Sequence, residues 1–85
     1  MKPLQGPLFV ATIRVLPGDA LVVEQLETPS GAAVADVVAQ PQEALLRSLI
    51  SHQRERFRPG RRYRVEVLRV GRQSQIRVAL LPARP

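Results

Sequence analysis

Three segments of this chain carry an apolar residue at every second position, and that spacing constrains the fold more than any other feature. It runs through residues 8–16, 61–70 and 75–81. Successive side chains of a β-strand point to opposite faces, so each segment presents one apolar face. The positions on these apolar faces are Phe9, Ala11, Ile13, Val15, Tyr63, Val65, Val67, Ile76, Val78 and Leu80. The pattern predicts a mainly β domain.

Turn signals divide the first half of the chain into strands. Pro17-Gly18-Asp19 separates residues 8–16 from a second β-rich segment at 20–27 and predicts a hairpin. Thr28-Pro29-Ser30-Gly31 ends the second strand. The valines at 34, 37 and 38 fit a short helix by spacing, but the high valine content and the proline at 41 favour a third strand over 32–40. Both alternatives remain open.

Residues 41–58 carry the pattern of an amphipathic helix. Pro41 suits the first helical position, and Glu43 favours the positive end of the helix dipole. A buried stripe is expected at helical spacing, formed by Leu46, Leu49, Ile50, Gln53 and Phe57. Pro59-Gly60 ends the predicted helix.

The predicted order is therefore strand, strand, strand, helix, strand, strand, in one domain spanning residues 1–85. Residues 1–7 are expected to be an irregular lead-in and 82–85 a short tail. This order in so short a chain resembles the OB-fold, a five-stranded small α+β barrel with one helix. The resemblance is one of topology only, since no residue motif marks a family. The alternative is a ubiquitin-like β-grasp, in which 32–40 joins the helical region.

Composition limits how such a domain can be stabilised and where it is expected to work. The core must be aliphatic, because the chain has two Phe, one Tyr and no Trp. It has no cysteine, which excludes a disulfide framework or a thiolate metal site. Residues 1–7 lack the apolar region of a signal peptide, and no segment is long and apolar enough to span a membrane. We expect a cytoplasmic protein without a membrane partner.

Charge is divided unequally between the two halves of the sequence. Residues 1–46 hold two basic and five acidic residues, a net charge of −3, whereas residues 47–85 hold eleven arginines and two glutamates, a net charge of +9. Such a basic block creates a positive field that favours a polyanionic partner. Arginine also presents a planar fork that suits phosphate oxygens.

The densest part of the basic block predicts a surface that binds DNA or RNA through its backbone, with little sequence specificity. It lies where the predicted helix ends and the fourth strand begins. The predicted contacts are Arg54, Arg58, Arg61, Arg62 and Arg64, with Arg72 and Arg77 as outer members and Tyr63 as the candidate for base stacking. A competing hypothesis is a protein-interaction or oligomer-forming module, whose basic face docks an acidic partner or the acidic half of another subunit.

No pattern in the sequence indicates catalysis. The only histidine, His52, has no cysteine or carboxylate pair to orient it as a general base. Metal-ligand spacing and a glycine-rich phosphate loop are both absent. We therefore expect no enzyme activity, no metal and no cofactor.

Overall fold

The described chain contains four strands and one α-helix. The computed structural model describes residues 7–18, 20–33 and 41–82. Its elements are β1 (Pro7–Val15), β2 (Leu21–Glu27), α1 (Pro41–Ser51), a short 3-10 helix (Arg54–Arg56), β3 (Arg62–Val70) and β4 (Gln73–Leu80). The prediction of a mainly β domain with one helix is confirmed.

The four strands form one antiparallel sheet in the order β2-β1-β3-β4. β1 is central and pairs with both neighbours: Val15 lies opposite Leu21 of β2, and Ile13 lies opposite Tyr63 of β3. β3 in turn pairs with β4 along its whole length. Within the described residues β2 and β4 lie at the two edges and do not meet.

The sheet is therefore open, and the expected closed barrel is not found among the described strands. The predicted third strand falls mostly on residues 34–40, which lie outside the described residues. Only its start is described, where Ala33 forms an isolated antiparallel bridge with Glu27. The OB-fold and the β-grasp both remain predictions.

One face of the sheet, here called the inner face, packs against α1 and forms the core. The predicted alternation accounts for it, because Phe9, Ala11, Ile13 and Val15 of β1 and Tyr63, Val65 and Val67 of β3 all point to this side. The buried cluster comprises Phe9, Ala11, Ile13, Val15, Leu21, Leu26, Leu46, Ile50, Phe57, Tyr63, Val65, Val67 and Ile76. Leu80 shares this face but is 58% exposed at the end of β4. Burial of apolar surface in this cluster is the main stabilising interaction of the domain.

The helix ends earlier than the sequence predicts. α1 stops at Ser51, and Gln53 adopts a non-helical φ of −130° and ψ of 39° before the 3-10 helix begins. Four consecutive polar residues at 51–54 offer no apolar side chain to hold this turn of helix against the core. Phe57, the next apolar residue, is buried from an extended backbone instead.

The turn after the 3-10 helix fixes the start of β3 against the end of β1. Gly60 has a φ of +83°, a left-handed conformation that favours glycine. Its N–H donates to the Val15 carbonyl at 2.8 Å, and the Val15 N–H donates to the Arg61 carbonyl at 3.0 Å. These two hydrogen bonds hold Arg61 beside the end of β1.

Leu45 and Leu46 provide a matched test of the core, because they are adjacent in α1 but differ in burial. Leu46 is fully buried and Leu45 is 36% exposed. We expect Leu46→Ala to lower the free energy of unfolding by about 2–5 kcal/mol, through lost burial and a cavity. Leu45→Ala should cost less than about 1 kcal/mol. Urea unfolding at low temperature measures both, and equal losses would contradict the assigned helix face.

Candidate functional site

The face of the sheet that points away from α1, here called the outer face, gathers several of the charged side chains. In the described part of the chain its strands carry four arginines: Arg14 of β1, Arg62 and Arg64 of β3, and Arg77 of β4. They occupy this face because they alternate with the buried residues of the same strands. Arg61 lies at its rim, one residue before β3.

Arg14 and Arg62 lie directly opposite each other across β1 and β3. Like charges in such a pair repel, and Glu24 of β2 lies between them. The Glu24 Oε1 atom accepts from Arg62 Nε at 3.1 Å and lies 3.0 Å from its Nη2, while Oε2 lies 3.4 Å from Arg14 Nε. One carboxylate therefore neutralises two guanidinium groups only in part.

A β-bulge accounts for the position of Glu24. The register between β1 and β2 pairs Thr12 with Gln25 and then Ile13 with Val23, so Glu24 is the extra residue. A bulge re-aims side chains, and here it adds a carboxylate on the outer face without disturbing the inward residues on either side.

Glu66 forms a second cluster of the same kind on β3. Its Oε2 accepts from Arg64 Nη1 at 2.7 Å, and its Oε1 accepts from Arg77 Nη1 at 3.4 Å. Arg77 is also the cross-strand partner of Glu66 in the register of β3 and β4. Exposed pairs of this type contribute only about 0–1 kcal/mol each, and the Arg64 and Arg77 side chains are 46% and 72% exposed.

The outer face is not compensated in charge. Among the residues that the structure describes, this face carries five guanidinium groups, with Arg61 at its rim included, and three carboxylates, those of Glu24, Glu27 and Glu66. Neither Glu27 nor Arg61 forms an ion pair within the described residues. The formal excess is two positive charges on one side of the sheet.

An open depression of about 800 Å³ lies on this face at the ends of β1 and β3. Arg14, Arg61 and Arg62 line it together with Glu24, and Thr12 contributes a hydroxyl to its wall. Two of these arginines, Arg14 and Arg62, pair with Glu24, and Arg61 lines the same depression.

The remaining arginines of the predicted contact set lie elsewhere. Arg54 lines a smaller depression of about 380 Å³, together with Leu21 of β2 and with Arg47 and Ser51 of α1. Arg58 is exposed in the turn that precedes β3. Arg72 lies in the β3–β4 hairpin, eight residues from Arg64, a distance of about 25 Å along an extended strand. The structure thus brings together Arg61, Arg62, Arg64 and Arg77 but separates Arg54 and Arg72 from them.

Tyr63, the predicted stacking residue, belongs to the core. Its side chain is 5% exposed and packs edge-to-face against Phe57, with ring centroids 5.1 Å apart. Its hydroxyl accepts the Arg58 backbone N–H at 2.8 Å. Phe9 and Phe57, the other two aromatic residues of the chain, are 4% and 5% exposed. No Phe or Tyr ring is therefore left on the surface for a base to stack on.

Sequence analysis missed Arg14 and Glu24 as members of the site. Both fall in the acidic half, and averaging charge over that half hid them. The alternation of β1 already assigns Thr12 and Arg14 to the side opposite the core, which is a usable signal. The bulge that positions Glu24 depends on strand register and has no signature in the local sequence.

Histidine and acidic side chains do not form a candidate metal site in the described ranges. His52 is exposed, and its Nδ1 donates to the Ser48 carbonyl at 2.8 Å. Over residues 7–18, 20–33 and 41–82 there is no group of three or more His, Cys, Asp or Glu side chains that could hold a metal ion. None of the helices in these ranges has the length and apolar character required to cross a bilayer.

Comparison of the chain with protein-family models, curated proteins and solved structures gave no match. Functional inference for this chain therefore depends on the residues of the outer face.

Tyr63→Phe tests whether the tyrosine is structural. Losing the hydroxyl leaves the partly buried Arg58 N–H without its acceptor, and we expect the free energy of unfolding to fall by about 0.5–1.5 kcal/mol. Urea unfolding gives this value. A variant as stable as the parent chain would contradict the structural role.

Proposed function

We propose that this chain is a non-catalytic binding domain that contacts the phosphate backbone of DNA or RNA through its outer face. The contacts are Arg14, Arg61, Arg62, Arg64 and Arg77, here called the outer-face arginines. The observation that carries the proposal is the excess of guanidinium groups over carboxylates among the described residues of this face, five against three.

The chemistry of arginine favours phosphate as the ligand. A guanidinium group offers parallel N–H donors that match two oxygens of one phosphate. A nucleic-acid backbone presents such groups at close, regular spacing, so several arginines on one face engage it together and release counterions. The weak internal ion pairs of Glu24 and Glu66 leave these donors able to exchange partners.

Burial of all three aromatic side chains determines the expected specificity. Single-strand binders usually hold bases on exposed aromatic rings, and no Phe or Tyr ring is exposed here. Contacts to phosphate position a protein on nucleic acid but carry no direct sequence information. The proposed domain therefore binds with little sequence preference.

An OB-fold is the fold that we propose for the whole domain. It is supported by the order of elements and by the Glu27–Ala33 bridge, which turns the chain back along β2 where a third strand would begin. The usual ligand face of that fold lies on its second and third strands. In this chain β2 carries Glu24 and Glu27, so phosphates are expected on the β1, β3 and β4 side instead.

Paired double variants test the proposal. Arg61→Gln with Arg64→Gln removes two outer-face arginines, whereas Arg56→Gln with Arg69→Gln removes two exposed arginines away from that face. We expect the first pair to weaken binding to a labelled DNA duplex and to reduce the slope of log affinity against log salt by about 0.9 per lost contact. Fluorescence anisotropy over a salt titration measures both quantities.

The control pair separates local contact from general charge, since both variants lose two positive charges. Equal weakening by the two pairs would contradict the outer face as the site. Absence of any shift with DNA or RNA at low salt would contradict nucleic-acid binding itself.

A protein-interaction or oligomer-forming module is the second candidate. It is favoured by the position of β4 at the edge of the sheet. One side of β4 has no partner strand within the described residues, and the strand ends at the exposed Leu80. An open strand edge can pair with another chain. Sedimentation velocity in low and high salt distinguishes the two: we expect a monomer in both, and a dimer or longer assembly would favour the second candidate.

A further inference from the structure

We propose that the Glu24 carboxylate occupies the position where one phosphate of the ligand binds. Glu24 thereby competes with the ligand for Arg14 and Arg62. This phosphate position lies between Arg14 and Arg62 at the wall of the 800 Å³ depression. The inference rests on the proposed function and adds to it the place of one phosphate and a residue that limits affinity.

The first support is the geometry of the pair. Arg14 and Arg62 converge on one carboxylate from opposite strands, with N–O distances of 3.0–3.4 Å to its two oxygens. A phosphate group has the same requirement, an anion with several oxygens that accepts from two guanidinium forks at once. The arrangement that binds Glu24 is therefore suited to bind a phosphate in its place.

The second support is that Glu24 can leave. Its side chain is 26% exposed at an open depression, and the side chains of its partners Arg14 and Arg62 are 50% and 17% exposed. Exposed ion pairs of this kind are weak and are screened by salt. A polyanion that arrives with many phosphates can replace one carboxylate without disturbing the core, because Glu24 belongs to the bulge and not to the inward-facing set.

The third support is the contrast with the other carboxylates of the outer face. Glu66 also pairs with two arginines, but its side chain is 17% exposed and it does not line the depression. Glu27 makes no ion pair within the described residues. Only at Glu24 does a further guanidinium, that of Arg61, line the same depression. A displaced Glu24 thus leaves two guanidinium groups without their carboxylate in a depression that Arg61 also lines.

Glu24→Gln is the direct test, with Glu27→Gln as its control. Both variants lose one negative charge from the outer face of β2, but only Glu24 lies between two arginines. We expect Glu24→Gln to bind a labelled DNA duplex about three- to tenfold more tightly, the gain expected when two exposed ion pairs no longer compete. Glu27→Gln should change affinity less than about twofold, by long-range charge alone.

A second variant keeps the test decisive if Glu24→Gln alters folding. Glu24→Asp retains the charge but is one methylene shorter and cannot reach both arginines. Its affinity should lie between those of the parent chain and Glu24→Gln. Competition by inorganic phosphate at constant ionic strength is a separate measurement. Displacement of the duplex at millimolar phosphate would show that the position binds free phosphate. Absence of displacement would show that it binds phosphate of the nucleic-acid backbone.

Failure of the inference is distinguishable from failure of the proposed function. If the parent chain binds the duplex and Glu24→Gln binds no more tightly than Glu27→Gln, the competitor role is wrong and backbone binding stands. If neither the parent chain nor any variant binds at low salt, both proposals are wrong.

Discussion

Alternation of side chains along the two central strands is the constraint on which the rest of this structure depends. β1 and β3 are paired with each other and flanked by β2 and β4, so each has one face against α1 and one face turned away. Because successive side chains of a strand point to opposite faces, the neighbour of each core residue of β1 lies on the outer face. Arg14, Arg62 and Arg64 are therefore brought together by the same pattern that buries Ile13, Tyr63 and Val65.

Placing arginines opposite one another on a sheet has an electrostatic cost, and two glutamates offset it. Glu66 lies on β3 in regular register with Arg77, whereas Glu24 reaches Arg14 and Arg62 only because β2 has a bulge. Both carboxylates are shared between two guanidinium groups. The result is a face that is stable enough to fold yet retains positive charge toward solvent, which is the condition that backbone binding requires.

The sequence predicted what depends on local periodicity and missed what depends on register. Strand positions, the start of the helix at Pro41 and the buried stripe through Leu46 and Ile50 follow from residue spacing. The predicted helix end at residue 58 is wrong. Residues 51–56 are all polar, so they supply no apolar side chain that would hold a continued helix against the core before Phe57. The sequence predicts a candidate site over residues 54–64 with Arg72 and Arg77 as outer members. Strand pairing keeps Arg77 beside Arg64 through Glu66, but it places Arg72 at the far hairpin and Arg14 of the acidic half opposite Arg62.

Chemical-shift mapping tests most directly whether the outer face is the ligand surface. In a ¹H–¹⁵N titration with a short DNA duplex at low salt, we expect the largest changes at the amides and arginine Nε–Hε groups of Arg14, Arg61, Arg62 and Arg64. Resonances of α1 and of the hairpin around Arg72 should move little. Changes concentrated on α1 or on that hairpin, with the outer face unaffected, would contradict the account.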